Sequence, residues 1–256
     1  MERRDALVRE EFTRQADAMS AAALFNDETV ISRICDAARL TSQMRALDVG
    51  CGPGIVAEAL ARHAGEVIGC DLTPAMLERV RARAAAAGLA NITCIPARAE
   101  SLPFENDYFD VVVSRSAVHH FPDPRAALRE MARVVRSGGR VITVDVMAAE
   151  STDEAALHNA LEILRDPSHV RMLARSELHR LLVESGLIVE SCVVWVNQRE
   201  FGEWMKIVTA PERIGPLNTV MTALARNGVQ AGINLRLESG QLRFDHTAGL
   251  TVATKP

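Results

Sequence analysis

The stretch Leu47-Asp48-Val49-Gly50-Cys51-Gly52-Pro53-Gly54 decides how the chain is read: an apolar run breaks into a glycine-dense turn, and a helical pattern, Ile55 to His63, follows at once. Working outward, similar short runs recur at Val67-Ile68-Gly69-Cys70-Asp71, Ile92-Thr93-Cys94-Ile95, Phe109 to Ser114 and Arg140 to Val146. Helical patterns separate them, among them Pro74 to Ala87, which stops at Gly88. Runs that are continuously apolar, not alternating, indicate parallel strands covered on both faces. The expected fold class is α/β, with a doubly wound, mostly parallel sheet. Beyond residue 147 the pattern predicts helices near 152–165 and 175–185, a strand near 188–196, helical material across 200–227 and a last strand over Leu242 to Ala253. That makes seven strands. The expected organisation is one domain over 1–256: a helical cap (1–40), a core (41–147), and a C-terminal part (148–256) with a helical insertion before the last strand.

Composition narrows the function. Of 256 residues, 48% are apolar and 24% charged, which suits a folded chain with a substantial core. A net charge of −4 and only 4% aromatics supply neither a global field for phosphate backbones nor stacking platforms, so no nucleic-acid partner is expected. The charged start, Met1-Glu2-Arg3-Arg4-Asp5, leads into no apolar segment of a signal peptide, and no run approaches the ~18 apolar residues of a membrane span. Five scattered cysteines without a C-x-x-C pair predict neither a disulfide framework nor a metal site, and suit a cytoplasmic protein.

Glycines between a strand and a helix let the backbone turn sharply and approach a ligand, with helix amides pointing at it. Asp71 ends the second run, where an open sheet places a carboxylate to accept from ribose hydroxyls. The pair points to a nucleoside-containing cofactor. The spacing is G-x-G-x-G, not the G-x-G-x-x-G of dinucleotide enzymes, and Asp48 beside the loop would repel a pyrophosphate while tolerating a cation. S-adenosylmethionine, with its ammonium and sulfonium, is such a ligand; an NAD-dependent oxidoreductase is the disfavoured alternative.

These residues resemble class I S-adenosylmethionine-dependent methyltransferases. Leu47 to Gly54 looks like their first motif and Asp71-Leu72-Thr73-Pro74-Ala75-Met76-Leu77 like their second. Ala99-Glu100-Ser101-Leu102-Pro103-Phe104, Phe109-Asp110-Val111-Val112, His119-His120-Phe121-Pro122-Asp123-Pro124 and Leu128 to Gly139 continue the series in order. The resemblance covers about residues 44–147 and is closest to the small-molecule branch that includes ubiquinone and menaquinone methyltransferases. It implies a Rossmann-like methyltransferase fold, S-adenosylmethionine as cofactor and a small-molecule methyl acceptor, with a homodimer left open. By position, Gly50, Cys51, Gly52 and Gly54 would meet the methionine portion, and Asp71 the ribose. Leu72 and Met76 would flank the adenine, with Ala99 and Glu100 along its edge. The family usually carries an acidic residue just before Ala99. Here Arg98 stands there, so the adenine amino group falls to the backbone or to Glu100, or adenine is held more weakly. Gln15 matches a segment that closes over the cofactor in similar proteins. Ser114 and Arg115 complete the cofactor set, Arg115 for the cofactor carboxylate or a substrate anion.

Methyl transfer is an in-line displacement; the protein positions a nucleophile, excludes water and, where needed, supplies a base. Histidine suits that last task near neutral pH. His119 follows the fourth strand at the ligand-binding edge, and His169 lies in the insertion; these are the catalytic candidates. His63, His158, His179 and His246 read as structural. Phe201, Trp204 and Met205, at helical spacing, read as core packing or an apolar lid. An intact cofactor loop establishes binding competence only, so a catalytically silent binding protein is the rival from another class.

Overall fold

The run that opens the motif becomes the centre of the sheet because its side chains alternate between two buried faces. Leu47 and Val49 point into one apolar cluster, Ala46 into the other, and all are fully buried. A strand covered on both sides has no polar face to show, which is why it reads as continuous apolar sequence. The computed structural model describes residues 2–22, 26–208 and 210–256.

Two helices, α1 (Glu2–Ala21) and α2 (Glu28–Ala38), precede the sheet. The core then runs β1 (Arg45–Val49), α3 (Ile55–Ala61), β2 (Glu66–Asp71), α4 (Pro74–Ala86), β3 (Ile92–Pro96), β4 (Phe109–Arg115), α5 (Pro124–Val134) and β5 (Val135–Val146), with a 3-10 turn at Val118–His120 before α5. The C-terminal part adds α6 (Thr152–Arg165), α7 (Arg175–Glu184), β6 (Ile188–Glu200), α8 (Phe201–Met205), α9 (Pro211–Arg226), β7 (Arg236–Glu238) and β8 (Gln241–Thr254).

Strand order is β3-β2-β1-β4-β5-β8-β6, the seven-strand α/β sheet expected, with short β7 paired to β8 as an unanticipated eighth. The strands are parallel except β8, which runs antiparallel to both β5 and β6. The direction of winding reverses between β1 and β4, and a crevice opens beyond the carboxyl ends of strands at such a point. Because β8 is reversed, it delivers its first half to that same edge: Ala248 pairs with Val146, the end of β5.

Two sequence expectations shift. The helical material across 200–227 is divided into α8 and α9, the second begun by Pro211, whose ring fits the first turn of a helix. The fifth strand starts at Val135, not Arg140, with Gly138 in the left-handed region. Phe201, Trp204 and Met205 join Leu217, Met221 and Phe244 in a separate apolar cluster that holds the C-terminal part together. Among the described residues no helix is long and apolar enough to cross a membrane.

Candidate active site

Two cavities lie side by side over the carboxyl edge of the sheet, enclosing about 950 and 990 Å³ of empty space that is partly open to solvent. Both are lined by Phe12, Met19, Arg115, Ser116 and His120, so they share a wall. Ser116, on that wall, is a non-glycine residue at φ 52°, a left-handed conformation that costs energy and concentrates at functional sites.

The first cavity is built on the glycine loop. Gly50 and Cys51 donate their backbone N–H groups to Cys70 O at 2.8 and 3.0 Å, stapling the loop to β2. Gly50 sits at φ 68°, and a Cβ there would come within 2.7 Å of Ala117 Cβ, so only glycine fits. The Asp71 carboxylate accepts from Gly52 N at 3.0 Å and Thr73 N at 2.8 Å, one bond to each oxygen, which fixes it in the cavity wall with lone pairs to spare. Asp48 is 1% exposed and its Oδ2 has no hydrogen-bond partner. Burial pushes its carboxyl up to about 7. An acidic wall with an orphaned carboxylate oxygen fits a ligand that brings positive charge.

Of the residues expected at the cofactor, Gly50, Cys51, Gly52, Asp71, Leu72, Ala99, Glu100 and Arg115 line this cavity. Four do not. Gly54 caps α3, and a Cβ there would meet Val80 of α4 at 3.0 Å, so its role is helix packing. Met76 faces the other way along α4 and packs, fully buried, against Ala16 and Met19 of α1. Ser114 is buried with its hydroxyl donating to Val49 O at 2.9 Å, a tie between β4 and β1. Gln15 belongs to the second cavity, where its Nε2 donates to Asp166 at 3.0 Å. Burial, with Asp71 and Asp48 nearby, raises the Cys51 thiol well above the ordinary range, which keeps it protonated in the loop. Arg98 is paired with Asp5 of α1 and, at 3.4 Å, with Glu100. The helical cap thus brings a carboxylate to the rim where this chain has Arg98 in place of the family's acidic residue.

The second cavity is a histidine-rich chamber. His119, His120 and His169 have ring centroids 4.3 to 6.1 Å apart, so the two catalytic candidates meet although one sits in the insertion. Val170 and Arg171 donate their backbone N–H groups to His119 O at 2.9 and 3.1 Å, which hangs the insertion on the 3-10 turn. His119 Nδ1 lies 2.5 Å from Asp145 Oδ1 at the end of β5. Burial alone would lower the His119 pKa, but the Asp145 carboxylate outweighs it and the imidazole is raised above its ordinary value. Burial lowers His120 to about 4 and holds His169 well below the usual range, both helped by His119. His169 Nε2 is 2.9 Å from Asn159 Oδ1, and His120 Nδ1 is 3.2 Å from Ser168 Oγ.

Sequence reading missed Asp145, although its place at the end of the fifth run marked it as an edge residue. It also missed Glu162 and Asp166, and it read His246 as structural. His246 lines this chamber, and His158 stands behind it against Glu162. The expectation of no metal site rested on cysteine spacing; of the three ligand-bearing groups gathered here, His158 and Glu162 stand four apart on α6, but only the fold brings His246 of β8 to them. Trp204 serves both its apolar cluster and the chamber wall.

α1 roofs both cavities. Arg4 donates to the carbonyls of Pro167, Ser168 and His169 at 3.0, 2.7 and 2.5 Å, and Arg9 to Leu72 O at 3.2 Å. Asp17 pairs with Arg79 of α4, and buried Glu11 takes Arg213 of α9 at 2.8 Å.

Residues 47–143 match the methyltransferase domain family. The uncharacterized methyltransferase YcgJ of Bacillus subtilis is 34% identical over 195 residues, 76% of this chain and 77% of its own. Its crystal structure superposes with a TM-score of 0.82 at 31% identity, covering 89% of this chain and 98% of that one. A putative methyltransferase of Bacillus halodurans, BH2331, gives 0.82 at 28% identity, covering 88% and 98%. The uncharacterized protein YafE of Escherichia coli is 39% identical over 154 residues, 60% of this chain and 74% of its own.

Proposed function

The chain belongs to the class I S-adenosylmethionine-dependent methyltransferases, and from that premise we propose that it methylates an O, N or C atom of a small metabolite bound in the histidine-rich chamber. The observation that carries this reading is the wall common to the two cavities. One cavity fits a cationic nucleoside ligand; the other is walled by imidazoles and carboxylates; a group can pass between them across Arg115, Ser116 and His120.

Asp71 would hold the ribose hydroxyls, the loop Gly50 to Gly52 with Asp48 the methionine portion, and Leu72, Ala99 and Glu100 the adenine side. S-adenosylmethionine supplies, when bound, an electrophilic methyl carbon on a sulfonium. The chain's own task is to align the nucleophile and keep water out. His119 is the base in this reading. Asp145 accepts the Nδ1 proton, which fixes the tautomer with Nε2 as acceptor and stabilises the imidazolium formed when a proton arrives. His169, held by Asn159, orients the acceptor, and α1 covers both ligands. Cap, core and insertion work together as one unit.

Calorimetric titration with S-adenosylmethionine, followed by a metabolite screen scored on S-adenosylhomocysteine release, tests it. Turnover of a small acceptor supports the proposal. Tight cofactor binding with no turnover of any acceptor class would favour the silent binding protein instead.

A further inference from the structure

Five of the seven histidines gather at or behind the second cavity, and two of them take no part in the chemistry above. His158 and Glu162 are one turn apart on α6, a spacing that sets both on the same face. His246 meets them from β8. His246 Nε2 lies 3.2 Å from Glu162 Oε1, and His158 Nε2 lies 3.8 Å from the same oxygen. All three residues are buried, with 1%, 6% and 5% exposure for His158, Glu162 and His246.

Neither ring nitrogen of His158 has a hydrogen-bond partner, and His246 Nε2 has only the Glu162 carboxylate beside it, at 3.2 Å. Burying polar groups unpaired is costly, and side by side the cost recurs for the same small volume. A single cation among them would satisfy all three side chains at once. We propose that His158, Glu162 and His246 hold a divalent transition-metal ion whose open coordination positions face the acceptor chamber. Two imidazoles and one carboxylate form a donor set for ions of borderline softness, zinc and ferrous iron among them.

The surroundings agree. Arg165 engages the other carboxylate oxygen of Glu162, Oε2, at 3.3 Å and leaves Oε1 toward the imidazoles. The candidate ligand atoms lie within 4.8 Å of one another. With metal–ligand bonds near ~2.1 Å, ligands of a tetrahedral ion stand roughly 3.4 Å apart, a contraction within reach of side-chain rotation.

The ion also defines the acceptor, a step that rests on the chamber being the acceptor site. The chamber wall carries four carboxylates (Asp27, Asp145, Glu162, Asp166) against three guanidiniums (Arg115, Arg165, Arg199), a formal −1. A divalent ion turns that to +1, which favours an acceptor that presents an anionic oxygen, nitrogen or sulfur donor to the metal.

The test uses the full chain, stripped with a chelator and titrated with Zn²⁺ by calorimetry and with Co²⁺ by visible absorption. One ion per chain is expected. His158→Gln, Glu162→Gln and His246→Gln should each weaken Zn²⁺ binding roughly 100-fold or more and remove the Co²⁺ bands, while His63→Gln, at an exposed position, behaves as the parent. Cofactor titration of the same samples reports folding and the first cavity separately, so failure of the metal site and failure of the methyltransferase reading give different signals. The proposal falls if the parent takes up no stoichiometric Zn²⁺, or if its uptake is indifferent to all three substitutions.

Discussion

The two cavities share a wall but are made of different material. The first is a product of the backbone: loop amides and β2 fix Asp71 and the glycine turn, and its charged lining sets Asp5, Asp48, Asp71 and Glu100 against Arg98 and Arg115. The second is a product of side chains, where imidazoles, carboxylates and guanidiniums reach in from β4, the 3-10 turn, β5, α6, β6 and β8. Backbone-built sites hold one ligand class in fixed register, whereas side-chain-built sites can be rewritten without disturbing the frame. Affinity for the cofactor and rate on the acceptor should therefore separate cleanly under mutation.

The strongest test of that separation is His119→Ala. Loss of a positioned base lowers turnover by roughly 10²–10⁴-fold, while calorimetry should give a cofactor Kd close to the parent's. A change of similar size in both would merge the two cavities into one functional unit. Next in size is the opposite case, Asp71→Ala. Removing a carboxylate placed to accept from ribose hydroxyls costs ~1.5–3 kcal/mol per charge-assisted hydrogen bond, or roughly 10–150-fold in cofactor Kd for each bond lost. Saturating cofactor should restore most of the turnover. Unchanged affinity would remove Asp71 from the site.

Motif legibility follows the same division. Gly50, Gly52 and Asp71 were readable because a strand, a turn and the next strand fix their relation within a short length of chain. Asp145, Glu162 and His246 were not, because only the completed sheet brings β5, α6 and the reversed β8 to one edge. The misplacements have local causes too. Met76 and Gln15 lie on the right helices, but the turn of each helix points Met76 into the α1–α4 contact and Gln15 toward Asp166. The chamber's existence could be inferred from the insertion; its chemistry could not.

A smaller effect concerns pH. A base must be neutral to act, and Asp145 raises the His119 pKa, so the acid limb of turnover should fall above the ordinary histidine value of 6.5. Asp145→Asn removes the stabilising charge, so that limb should move to lower pH as the rate itself drops, measured as kcat against pH. The stability sign is the reverse of the activity sign: the His119–Asp145 pair stabilises the fold fully below the unfolded pKa and loses that contribution as pH rises through the folded one. A limb that stays in place would take Asp145 out of the pair.

The smallest expected effect falls on the roof. Arg4→Ala deletes the bonds to the Pro167, Ser168 and His169 carbonyls and should raise both the cofactor Kd and the acceptor KM by roughly 2–10-fold, at ~0.5–1.5 kcal/mol. A change confined to one ligand would show that α1 serves one cavity alone.

That roof has a thermodynamic consequence. Phe12 and Met19 of a single helix line both cavities, so any ordering of α1 that one ligand requires is already done when the other arrives. The coupling is reciprocal by necessity: whatever factor the acceptor contributes to cofactor affinity, the cofactor returns to acceptor affinity. One helix over two chambers is therefore expected to couple the two bindings, so that departure of one product loosens the hold on the other.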